Sequence, residues 1–142
     1  MTFEHIDVGG FTLEATSSEA ALLSAMVEHA RPLVHNGPYR SYLLPQTTLQ
    51  GRTFNPSAYF NDGKLESVHL TWADPNIEGG SPWKGFSFER ERSIADADAA
   101  WLANALGEAG AGRNTHQFDW GSIWSGFDER SGFSSVILRY NR

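Results

Sequence analysis

The chain contains no cysteine. Disulfides, thiolate metal sites and cysteine nucleophiles are therefore excluded together, and a reducing compartment suits it. No apolar run approaches the ~18 residues of a membrane span. The opening MTFEHIDVGG has no basic region followed by an apolar stretch, so no secretory leader is read there, and a cytoplasmic location is expected. Positive charge is also in short supply. Eleven Lys and Arg face seventeen Asp and Glu, a net charge of -6. A phosphate backbone would be repelled overall, which disfavours nucleic acid as a partner. The same acidity suits an encounter with a basic protein, because complementary potentials speed association.

Catalytic signatures are missing too. There is no phosphate-binding Gly-x-x-x-x-Gly-Lys-Ser/Thr loop, no His-Glu-x-x-His, no Gly-x-Ser-x-Gly and no dinucleotide glycine fingerprint. GSIWSG is only superficially like a nucleophile elbow. His5, His29, His35, His69 and His116 form no i, i+4 pair and no His-x-His, so a metal site would need long-range assembly. No cofactor and no metal are expected, and the chain is not read as an enzyme.

What is present is an ordinary globular composition. The 142 residues are 40% hydrophobic and 20% charged. One domain spanning 1–142 is expected, with roughly two-thirds of the unfolded surface buried on folding. FEHIDV and FTLEAT read as short strands around Gly9-Gly10. Thr16 and Glu19 have capping-box spacing, and SSEAALLSAMVEHAR then reads as a helix with Leu22, Leu23, Met26, Val27 and Ala30 facing a core and Pro32 stopping it. Residues 36–53, rich in Pro and Gly, read as loop with a short strand near SYLL. FNPSAYF and LESVHLTWA form a hairpin across Asn-Asp-Gly, with Val68, Leu70 and Trp72 on one face and His69 on the other. FSFERER reads as a strand, Ser93 as a helix start, and Gly107 as the C-cap of a helix carrying Trp101, Leu102, Ala105 and Leu106 inward. FDWGSIWSGFDERSGFSSVILRY closes the chain as a hairpin. A β-bulge is expected at Gly121, a turn at DERSG, and a central position for the last strand. The predicted class is α+β, a mostly antiparallel sheet with two α-helices packed on one face.

The segment DPNIEGGSPWKG is the most suggestive surface. It is long for a compact domain, and long ordered loops are often binding elements. Asp74, Glu78 and Trp83 combine acid with an aromatic anchor, a mixture that interfaces favour. Asp128 and Glu129 at the hairpin tip extend the candidate partner-binding set.

The hairpin LQGRTFNPSAYFNDGKLESVHLTW, with its Phe-x-x-Gly-x-Leu turn, and the closing Trp-Gly-x-Ile-x-Ser…Asp-x-Arg-x-Gly-x-Ser-Ser-Val resemble a group of small bacterial proteins. That group is similar to the immunity proteins of polymorphic-toxin and type VI secretion systems. The resemblance implies that Trp120, Gly121, Ser125, Asp128, Ser134 and Ser135 shape the hairpin. It implies as function the binding and occlusion of a cognate bacterial toxin. Two alternatives stand beside it. One is a small-ligand or carbohydrate-binding module using Trp120, Trp124 and Tyr140. The other is a hydrolase with a spatially assembled His and acid around His69 or His116.

Overall fold

The computed structural model describes residues 3–73, 87–107, 115–128 and 133–141. Among these, the chain order is β1 (Ile6–Val8), β2 (Phe11–Leu13), α1 (Glu19–Ala25), β3 (Arg31–Asn36), β4 (Tyr39–Leu43), β5 (Thr47–Leu49), β6 (Arg52–Asn61), β7 (Lys64–Trp72), α2 (Phe88–Leu106), β8 (Thr115–Phe118), β9 (Gly121–Asp128) and β10 (Phe133–Tyr140). Eight strands make one antiparallel sheet in the order β3-β4-β6-β7-β10-β9-β8, with β5 also on β6, and β1–β2 pair apart from it. The fold is α+β, as the sequence predicts. The last strand is central, between β7 and β9.

One face of the sheet carries the core. Phe54, Ala58, Phe60, Val68, Leu70, Ile123, Val136 and Leu138 are buried there together with Leu22 of α1 and Leu102 of α2. Both helices therefore feed the same core. α1 is held to it by the Tyr42 hydroxyl, which donates to Glu19. The alternation is kept in register by one irregularity. Tyr59 opposes Ser67 while Phe60 opposes Leu65, so Glu66 is left over as a bulge. Leu65 and Val68, three apart, can then both point inward.

Proline in a central strand needs an explanation, and Pro56 has one. Its carbonyl accepts from Leu44 N–H, so its ring nitrogen faces the β4–β5 side. There β4 ends opposite Ser57 and β5 begins opposite Phe54. The missing N–H thus falls at a gap and removes no bond to β7.

Several sequence expectations shift. The short strand expected near SYLL is β4, but the rest of 36–53 is mostly strand too and not loop. β3 and β4 form a hairpin across Gly37-Pro38, and β5 joins β6 through Gln50 (φ 49°) and Gly51 (φ 81°), a two-residue left-handed turn. Two turns of two residues make the Gly and Pro content compatible with strands. α1 is shorter than its pattern and starts later. Ser18, not Thr16, is the N-cap, its Oγ accepting from Ala21 N–H. Seven residues are too few for a helix to stand alone. After Met26 the backbone bonds of 31–36 go to β4 instead. Val27 consequently lies 77% exposed, and Pro32 sits at an irregularity of the edge strand β3, where a missing N–H costs least.

Of FSFERER, Phe88 to Arg92 are helix, not strand. Ser87 caps it, accepting from Arg90 N–H at 3.0 Å, and Glu89 and Glu91 occupy the first turn, where the helix dipole favours acids. Ser93 lies inside the helix and donates to the Glu89 carbonyl. Gly107 is the C-cap, left-handed at φ 74°. At Gly121 the predicted bulge is instead the end of a tight turn, with Phe118 opposite Gly121 across Asp119-Trp120. A Cβ at Gly121 would lie 1.9 Å from the Arg139 carbonyl oxygen, so only glycine lets β9 approach β10 here.

Candidate functional site

The described geometry singles out three regions: one end of the sheet, its outer face and a cleft beside α2. The first is where two candidate binding segments begin and finish. In sequence, 74–86 connect Ala73, after β7, to Ser87 at the head of α2, and 129–132 connect Asp128 of β9 to Phe133 of β10. Leu70 pairs with Val136, so two further residues bring Trp72 level with Ser134, and Phe133 pairs with Asp128. Ser134 N–H donates to Glu91 Oε1 at 3.0 Å, and the Phe88 ring lies 5.9 Å from Phe127. Neighbouring strands are only about 4.8 Å apart. All four anchor points therefore gather at one end of the sheet. Asp74, Glu78, Trp83 and Glu129 themselves lie outside the described residues. Asp128 ends β9, half-buried, on the face opposite the core.

That outer face is the second region, and no described helix packs on it. Register aligns Ser57, His69, Ile137, Trp124 and Thr115 across it, with Tyr59, Ser67, Arg139 and Ser122 in the next row. Tyr59 and His69 rings are 4.1 Å apart and tilted by 33°. The Trp124 ring lies over Gly126, where a Cβ would approach it to 2.9 Å. His69 is pushed down to about 4, first by burial and then by the Arg139 cation. It is neutral at pH 7, and the charge acting on it has the sign opposite to the carboxylate of a His–acid pair. His116 is buried, opposite Ile123 on the core side. Strand parity also separates the three proposed stacking residues. Tyr140 is buried on the core face, while Trp124 is on the outer face. Trp120 stacks on Phe118 (5.3 Å, 7°) and tilts against Tyr140 (5.6 Å), packing on the core edge. They form no common platform.

The third region was not visible in the sequence pattern. The inward stripe of α2 is Glu91, Ala95, Asp98 and Leu102, with helical spacing but two acids among four residues. Asp98 is 0% exposed. Arg52, at the start of β6, donates from Nε to its Oδ1 at 2.9 Å, and Nη2 lies 2.8 Å from the same oxygen as an ion pair. Oδ2 has no hydrogen-bond partner among the described residues. Burial raises the Asp98 carboxyl to about 6, against the pull of Arg52 and with a push from Glu91. The Arg52 guanidinium lies 5.0 Å over Trp72 and 5.9 Å from Phe54. Trp101 donates from Nε1 to the carbonyls of Leu49 (3.0 Å) and Gln50 (3.2 Å), fixing the β5–β6 turn against α2. Between these groups opens a cleft of about 550 Å³, lined by Gln46, Arg52, Thr53, Trp72 and Trp101 among others.

No group of three or more His, Cys, Asp or Glu among the described residues could hold a metal ion. No described helix is long and apolar enough to cross a membrane. Comparison with protein-family models, curated proteins and solved structures finds no match to the chain.

Proposed function

We propose that the chain is an immunity protein that binds a cognate bacterial toxin in the cytoplasm and occludes its active site. The observation that carries this reading is the convergence at one end of the sheet. The anchor points of 74–86 and 129–132 are neighbours there. Asp128 ends β9 at that end, and Asp74, Glu78, Trp83 and Glu129 belong in sequence to the two segments. The chain's net charge of -6 adds complementarity to a basic enzyme. Occlusion of a cleft needs shape, charge and a few buried anchors, and an indole is the commonest kind of anchor.

The test is co-expression with the product of the adjacent gene. The expected result is relief of that product's toxicity and a complex that survives purification. The triple variant Asp74→Ala, Glu78→Ala, Trp83→Ala should fold normally and bind at least about thirtyfold more weakly, since a central tryptophan anchor contributes ~2 kcal/mol or more. A triple variant that binds as tightly as the parent at both low and high salt moves the contact away from this segment. An adjacent product that is neither toxic nor bound overturns the immunity reading.

A further inference from the structure

We propose that the cleft beside α2 binds a small organic acid with a flat apolar body, its carboxylate on the guanidinium of Arg52 and its body against the indoles of Trp72 and Trp101. The cleft adjoins the proposed toxin-binding end, since Trp72 and Ala73 line it, but the ligand differs and the inference stands whether or not the immunity reading does.

The argument begins with the donors. An arginine side chain has five N–H groups in a fixed planar fork. Two of them are engaged by one oxygen of Asp98: Nε donates to Oδ1, and Nη2 faces it as an ion pair at 2.8 Å. No described residue accepts the remaining three. The side chain is only 16% exposed, and it lines the cleft. Those donors are therefore offered to the cleft and not to the open surface. Their direction is set in advance: Asp98 holds the guanidinium on one side and the Trp72 ring lies beneath it. Such a preorganised fork takes an oxyanion with two parallel hydrogen bonds.

The charge of the ligand follows from the neighbours. Among the described residues lining the cleft Arg52 is the one cation, and a fully buried carboxylate already touches it at 2.8 Å. A monoanion adds one negative charge to that pair. A phosphate dianion adds two, which doubles the pull of Arg52 and the push of Asp98 alike, and it brings a larger desolvation cost to a cation that is already paired. A carboxylate is thus the class that fits. The walls define the rest. Two indoles, Trp72 and Trp101, and Thr53 line a space of about 550 Å³, within the range of small-ligand pockets.

The probe is phenylacetate, followed by saturation-transfer NMR and by quenching of tryptophan fluorescence in the full chain. Saturable binding is expected with a Kd of about 1 mM or tighter, a value in reach of a ligand of this size. Phenylacetamide, the neutral isostere, should bind at least about tenfold more weakly, because it lacks the charge that strengthens both hydrogen bonds. Phenyl phosphate should bind more weakly than phenylacetate at pH 8. Arg52→Lys keeps a cation for Asp98 but loses the fork, and should cost about tenfold for the acid and little for the amide. Should that variant fail to fold, Gln46→Glu is the second handle. Gln46 is an exposed residue of the cleft rim, and a carboxylate there should repel phenylacetate by at least about fivefold at low salt while leaving the amide unaffected. Absence of saturable phenylacetate binding up to ~20 mM, equal binding of acid and amide, or tighter binding of the phosphate would each overturn the proposal.

Discussion

Two ionisable groups should make the stability of this chain depend on pH in opposite senses, and substituting each in turn should expose the other. Asp98 rises from 3.8 to about 6 in the folded state because it is fully buried. Its folded pKa lies above its unfolded one. Stability from the neutral acid is therefore complete below about pH 4 and is lost as pH rises through about 6. The shift corresponds to about 3 kcal/mol. His69 moves the other way, from 6.5 to about 4, chiefly through burial. It is neutral in the fold while the unfolded chain binds the proton between those values. Stability is thus intact above pH 6.5 and falls as pH drops towards 4, by about 2–3 kcal/mol once solvent screening of this half-buried ring is allowed for. The two contributions nearly cancel in the parent. Asp98→Asn preserves an acceptor for Arg52 and removes the first; His69→Gln removes the second. Urea midpoints measured at unit steps from pH 4 to pH 8 give the difference from parent, in which all other carboxylates drop out. For Asp98→Asn that difference should climb by about 2–3 kcal/mol across the range, and for His69→Gln it should decline by a similar amount. Two differences of the same sign, or two flat ones, would refute the assignment of these groups as buried and oppositely shifted.

Gly121→Ala should destabilise by about 3 kcal/mol, since the new methyl meets the Arg139 carbonyl at 1.9 Å and neither strand can move without losing ladder bonds; thermal unfolding reads it, and an unchanged melting temperature would mean that β9 and β10 are not this close. Trp101→Phe keeps most of the packing on Phe3 and Phe54 but leaves the Leu49 and Gln50 carbonyls without their indole donor, and should cost about 1–2 kcal/mol with a local gain in amide exchange at the β5–β6 turn.

Strand patterns were legible where one face is dry and the turn is short. The β6–β7 hairpin follows from Asn-Asp-Gly, and Asp62 and Gly63 do take left-handed φ values of 53° and 77°. The alternation of Val136, Leu138 and Tyr140 gives the core face of a central strand directly. β3 was illegible for the opposite reason. All six of its residues are exposed, so burial writes no period on it, and Pro32 reads only as the stop of the preceding helix. Its strand character comes from pairing with β4, which no local pattern records. α1 failed at its far end because apolar spacing continued past the point where tertiary pairing stopped the helix: Val27 completes the stripe on paper and faces solvent in the fold.

The cleft was hidden by one misplaced boundary. Phe-x-Phe followed by alternating charge has the period of a strand, and with the helix begun at Ser93 the residues before it carry no helical phase. Begun at Ser87, the same letters place Glu91, Ala95, Asp98 and Leu102 on one line. Two acids on an inward line cannot stay uncompensated, because a buried carboxylate without a donor is costly. Their partners lie far off in sequence: Arg52 is 46 residues from Asp98, and Ser134 is 43 from Glu91. Glu91 is answered by a backbone N–H that also ties β10 to the helix. Asp98 is answered by a cation, and a guanidinium brought in to meet one oxygen leaves other donors pointing elsewhere. The open side of Arg52 is thus a consequence of how α2 is neutralised, and the cleft stands where that consequence meets solvent.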